Sequence, residues 1–119
     1  MSIFLHGLST ALPKYCLTQD EVRERAGVIF GGKYPQFDRL SRSFATAGID
    51  RRYSVVPIDW FSDEHGWVDR NMAFIEGAKA MFLDAANAAL LDAGWQSDEV
   101  DCVVTVSSTG IATPTLEAK

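Results

Sequence analysis

Three consecutive hydroxyl residues, Ser107, Ser108 and Thr109, followed by Gly110, close the run Cys102-Val103-Val104-Thr105-Val106. That run is β-branched almost throughout and shows no apolar–polar alternation, the pattern of a parallel strand covered on both faces. In open α/β sheets, ligand sites form outside the carboxyl ends of such strands. The hydroxyl turn is therefore where chemistry is to be sought.

Other residues that could do chemistry carry weaker signals. Arg39 and Arg42 lie three apart and share a face if helical, with Arg51 and Arg52 close behind. This is the one local concentration of positive charge. It can hold a phosphorylated cofactor through charge-assisted hydrogen bonds, or be an ordinary solvated helix face. Residues 27–33, GVIFGGK, match the phosphate-loop pattern G-x-x-x-x-G-K. Tyr34 follows where a small hydroxyl is needed, and a helix rather than a strand precedes, so Gly31-Gly32 reads as a helix stop. His6 and His65 have no metal-ligand spacing to each other or to cysteine. His65 follows Asp63-Glu64, which could pair with its imidazole, but the segment reads as a solvated loop. Cys102 lies mid-strand with nothing nearby to activate a thiolate, and reads as a core residue, while Cys16 carries no signal.

Composition narrows the class. A 119-residue chain that is 47% hydrophobic is expected to pack a core. A net charge of −5 offers no general field for nucleic acid. Two cysteines are too few for a disulfide framework. Residues 1–7 contain no basic leader region, and no apolar run reaches transmembrane length, so a cytoplasmic location is expected.

The elements that must position these residues can be laid out along the chain. Residues 3–9 are expected to form a strand. Thr18-Gln19-Asp20-Glu21 is a capping box that opens a helix from Gln19 to the diglycine, with Val22, Ala26, Ile29 and Phe30 inward. A second helix starts near Pro35, carries Phe37, Leu40, Phe44 and Ala47 at helical spacing, and stops at Gly48. Residues 49–56 read as extended and 57–68 as a loop or a pair of short turns. The strongest helix is expected over 69–93, with Phe74, Ala78, Met81, Phe82, Ala85 and Ala89 on one face. Thr113-Pro114 is a good helix start, but only Thr115 to Lys119 follow, too few for a stable helix. Residues 1–119 are therefore expected to be an incomplete portion of one domain in a larger protein.

Taken together, these residues resemble the amino-terminal part of a thiolase-fold condensing enzyme, an α/β architecture. The resemblance rests on Leu90-Leu91-Asp92-Ala93-Gly94-Trp95 followed by Val100 through Gly110, and on Gly7-Leu8-Ser9-Thr10-Ala11-Leu12-Pro13. Gly48-Ile49-Asp50-Arg51-Arg52-Tyr53 matches the I-x-R-R-Y segment of type III polyketide synthases, the chalcone synthase group. The insert with Trp60-Phe61, Gly66-Trp67 and Arg70-Asn71 is similar to bacterial members. Initiating β-ketoacyl carrier-protein synthases come second, since their connection before the long helix is usually shorter. A non-catalytic fragment or interaction module is the reading from another class.

The resemblance implies a homodimeric acyltransferase. An acyl-CoA starter is loaded on a cysteine and extended by decarboxylation of malonyl-CoA, with CoA thioesters as substrates and no further cofactor. The family's catalytic Cys, His and Asn fall beyond Lys119. By the same resemblance, Arg39 and Arg42 stand at the mouth of the CoA tunnel, and a third basic position of the family is Thr46 here. Ser108 and Thr109 align with hydroxyls lining the starter and elongation pocket. Thr113 stands where plant enzymes place a methionine that reaches into the partner subunit, and the smaller side chain implies extra pocket volume.

Overall fold

The computed structural model describes residues 2–118. Within them the chain divides into two compact units, Pro13–Gly66 and the stretches on either side of it.

The first unit begins with β1, Tyr15–Thr18, paired antiparallel to β2, Arg51–Ser54, with Tyr15 opposite Ser54 and Thr18 opposite Arg51. Thr18 ends the strand and caps α1, Gln19–Phe30. Its Oγ1 accepts the Glu21 N–H at 3.2 Å, and the Glu21 carboxylate accepts the Thr18 N–H at 2.7 Å. This reciprocal pair satisfies donors that a helix start otherwise leaves open. α2, Phe37–Thr46, follows, and Phe30 meets Phe37 with ring centroids 6.3 Å apart. Gln19 ties the unit together. Its backbone N–H donates to the Asp50 carbonyl, its Nε2 to the Phe44 carbonyl, and its Oε1 accepts from Arg52 Nε, all within 3.0 Å. A 3₁₀ turn, Ile58–Ser62, is held to α1 by Arg25, which reaches both Asp59 and Ser62.

The second unit is built on α3, Trp67–Ala93. It begins two residues before the expected start. The expected inward face holds: Phe74, Ala78, Met81, Phe82, Ala85 and Ala89 are all half-buried, while Glu76, Asp84 and Asn87 are exposed. Gly94 ends the helix at φ +71°, a left-handed conformation that costs a residue with a Cβ. There the Trp95 N–H reaches the Leu90 carbonyl and the Gly94 N–H reaches that of Leu91, so the last turn is closed by a Schellman pattern. The chain's opening segment lies against this end of α3. The Leu8 N–H donates to Asp92 at 3.3 Å, and the His6 and Trp95 rings sit 5.0 Å apart.

Several expectations are corrected. Residues 3–9 and 102–106 are not strands, because β-structure needs a hydrogen-bonded neighbour and β1–β2 is the only ladder among the described residues. Their apolar side chains stand open instead: Ile3 is 90% exposed and Val106 91%. Cys102 is exposed rather than hidden. The packed core is also missing. No hydrophobic side chain among the described residues is buried, and the one buried residue is the polar Gln19. A helix stripe or strand becomes core only when a second layer covers it, and here those apolar faces have none. After Thr113-Pro114, where too few residues follow for a stable helix, the chain makes only a 3₁₀ turn, Leu116–Ala118. Within 57–68 the 3₁₀ turn Ile58–Ser62 fits the reading of short turns, while Trp67 and Val68 already belong to α3. Among the described residues no helix is long and apolar enough to cross a membrane.

Candidate functional site

The hydroxyl turn is exposed, yet it is anchored. Asn71, in the second turn of α3, binds the Ile111 peptide at both ends: its Nδ2 donates to the Ile111 carbonyl, and its Oδ1 accepts the Ile111 N–H, each at 2.9 Å. Three residues on, Phe74 presses against Gly110 so closely that a Cβ there would overlap its ring. Gly110 is needed for that approach. Within the turn, the Thr109 N–H donates to Ser107 Oγ at 3.3 Å. The result is a shallow groove of about 140 Å³ with Phe74 as its apolar wall and Thr105, Ser107, Gly110, Ala112, Thr115 and Leu116 around it. An apolar wall with hydroxyls nearby suits an apolar chain carrying a few polar atoms.

The sequence-expected pocket residues lie beside this groove rather than along it. Ser108 and Thr109 are exposed at the top of the turn, and Thr113 is exposed after it. The neighbouring hydroxyls Thr105, Ser107 and Thr115 line the groove instead. Asn71 and Phe74 were not singled out as site residues. Their spacing of three places them on one face of α3, but the segment that this face meets begins more than thirty residues later.

Arg39 and Arg42 both project from α2 into solvent, and neither enters an ion pair among the described residues. The basic cluster is smaller than the sequence suggests, because Arg52 is committed to Gln19. Thr46 turns back onto its own helix, 3.5 Å from the Arg42 and Ser43 carbonyls. The arginines belong to the first unit and the hydroxyl turn to the second.

Other features carry less chemistry. The His65 ring stacks on Trp60 at 3.7 Å, with Nε2 2.8 Å from the Trp60 carbonyl. A second groove, about 240 Å³, opens at the start of α1 between Asp20, Arg23, Phe44 and Asp50. Gln19 at its base is already partnered, and Asp20 pairs with Arg23 at 3.3 Å. Glu21 beside it has its carboxyl held below the usual range, first by the Thr18 N–H and then by the Thr18 hydroxyl. Residues 27–33 offer no phosphate loop, since Gly27 lies inside α1. Among the described residues no group of His, Cys, Asp and Glu could hold a metal ion.

No family model matches the chain. Individual proteins do. It is 31% identical over 121 residues to a chalcone synthase-like protein of Bacillus subtilis, covering 98% of this chain and 33% of that protein. It is 30% identical over 108 residues to 1,3,6,8-tetrahydroxynaphthalene synthase of Streptomyces griseus, covering 91% of this chain and 29% of that enzyme. Among solved structures, 1,3,6,8-tetrahydroxynaphthalene synthase of Streptomyces coelicolor, a bacterial type III polyketide synthase, superimposes with a TM-score of 0.81 at 29% identity, covering 94% of this chain and 33% of that one. A polyketide synthase of the brown alga Ectocarpus siliculosus gives 0.80 at 25% identity, covering 95% and 34%. The chain thus spans about a third of the length of the relatives it matches. In sequence and fold it is similar to the matching third of type III polyketide synthases, with the corresponding portion of their thiolase-like α/β fold.

Proposed function

We propose that this chain forms the opening third of an acyltransferase that condenses an acyl-CoA starter with malonyl-CoA to build a polyketide. The observation that carries the reading is the agreement of sequence and fold over nearly the whole chain: about 30% identity and a TM-score of 0.81, both to enzymes that make polyketides. In such chemistry the acyl group passes from the CoA sulfur to a cysteine sulfur, releasing CoA as the thiol. Malonyl-CoA then loses carbon dioxide, its α-carbon attacks the enzyme-bound acyl carbonyl, and the cysteine leaves as thiolate. The nucleophile and the groups that activate it belong to the remaining two-thirds of the enzyme. CoA thioesters are the substrates, and no other cofactor is needed.

This chain supplies handles for the substrate. Arg39 and Arg42 bind the phosphates of CoA, a role supported by two unpaired guanidinium groups on one helical face. Ser108 and Thr109 border the acyl pocket, together with Thr113, a role supported by the anchored turn and its apolar wall. The enzyme works as a homodimer in the cytoplasm. The test is turnover by the complete gene product given a series of acyl-CoA starters with malonyl-CoA, following CoA thiol, carbon dioxide and product mass. Release of CoA and carbon dioxide in step, with products growing by two-carbon units, supports the reading. Extension only when malonate is carried on an acyl carrier protein assigns the chain to the ketoacyl synthase group instead.

A further inference from the structure

Asn71 and the peptide it holds are 40 positions apart in sequence. Its primary amide offers one donor and one acceptor to the C=O and N–H of a single residue, Ile111, at 2.9 Å each. In a β-ladder a facing residue makes this same pair of bonds, so the side chain substitutes for a strand partner. One helical turn further, Phe74 packs on Gly110. Two successive residues at the end of the hydroxyl turn are therefore fixed by two residues of α3. The groove walls contributed by Thr105 and Ser107 stand just before this anchor.

The anchor orients more than it stabilises. Ile111 is 64% exposed, so water can satisfy its peptide groups if the amide is removed, and no buried polar group would be orphaned. The consequence of losing Asn71 then falls on where the turn points.

We infer that Asn71 is a positioning residue that, through the Ile111 peptide, sets the Ser107–Gly110 turn and thereby selects which acyl starters the pocket accepts. This rests on the condensation reading above. Asn71 touches no substrate and acts only through the turn.

The test compares Asn71→Ala and Asn71→Asp in the complete gene product by two readouts. The first is amide hydrogen exchange at Ile111, which needs no activity. Asn71→Ala is expected to speed it by roughly tenfold, the equilibrium equivalent of one net hydrogen bond. Asn71→Asp keeps the acceptor for the Ile111 N–H but turns an oxygen towards the Ile111 carbonyl, and gives a smaller increase. The second readout is the ratio of kcat/KM for a short and a long acyl-CoA starter, expected to move by about threefold or more in Asn71→Ala, a small part of what pocket shape can discriminate. A purely structural role would lower the melting temperature and slow all starters alike, leaving the ratio unchanged. Unchanged exchange at Ile111 overturns the anchor, and faster exchange with an unmoved ratio overturns its role in starter selection. A wild-type protein without condensing activity overturns the condensation reading and starter selection with it, while exchange at Ile111 still decides the anchor.

Discussion

Pro13–Gly66 and the hydroxyl turn are held by opposite means. In the first, Thr18 and Glu21 close the start of α1 within four residues, and the Gln19 side chain draws α2 and β2 onto it by bonds of 2.9–3.0 Å. The turn after residue 106 has no ladder and no cover of its own, and it borrows both a hydrogen-bonding partner and a packing surface from α3. A polar network closed on itself is expected to tolerate changes elsewhere, whereas a borrowed anchor transmits a change on α3 straight to the turn.

The largest effect should come from the borrowed contact. Gly110→Ala places a methyl against the Phe74 ring and should cost up to about 3 kcal/mol of stability, the upper range for overpacking. Thermal or denaturant unfolding of the complete gene product reads it. Adding Phe74→Ala should recover part of that loss, and a strictly additive double variant would show that the two residues do not meet. Next comes the centre of the first unit. Gln19→Ala unpairs the Phe44 carbonyl and Arg52 Nε, and should cost about 1–2 kcal/mol, with water compensating at the exposed arginine. A loss as large as that of Gly110→Ala would erase the contrast between the two regions.

That contrast also marks what a sequence can reveal. The capping box at Thr18–Glu21, the inward stripe of α3 and the helix stop at Gly94 are short-range signals, and each is where the residue pattern puts it. Arg51–Ser54 lies inside the stretch read as extended, but its four-residue partner Tyr15–Thr18 and their pairing were hidden, because so short a strand shows no pattern of its own. Residues 102–106 read as a strand because β-branched residues favour extended backbone, but pairing depends on neighbours that propensity does not supply. The Asn71–Ile111 bonds are tertiary and leave no periodic trace. Of the candidate site, the hydroxyl turn and the two arginines were legible, but the anchor that orients the turn was not.

Smaller effects refine the first region. Thr18→Ala removes the acceptor for the Glu21 N–H and should cost about 1 kcal/mol, measurable as a lowered unfolding midpoint. A shift within experimental error would mean that solvent caps α1 equally well. The Glu21 carboxyl is held below its ordinary value, so its folded pKa is depressed. Its contribution is complete above the ordinary glutamate range and is lost as pH falls through the lowered value. The Thr18 amide resonance should report that titration below the usual glutamate range, and Glu21→Gln should abolish it. A midpoint at or above the usual range would contradict the capping geometry.

The central claim is the pair of proposed roles: Arg39 and Arg42 bind the phosphates of CoA, and Thr109 borders the acyl chain. The direct test is steady-state kinetics of Arg42→Ala and Thr109→Leu in the complete gene product, each with full acyl-CoA starters and with truncated thioesters lacking the nucleotide. Phosphate binding is shared by ground and transition states, so Arg42→Ala should raise KM for the CoA substrate by about three- to tenfold at low salt with kcat nearly unchanged. It should leave the truncated thioester and the preference between starters unaffected, and its effect should shrink as salt rises. Thr109→Leu should do the reverse, changing starter preference equally for both thioester types. Equal penalties of Arg42→Ala on full and truncated substrates, or a starter preference unmoved by Thr109→Leu, would contradict the role proposed for that residue.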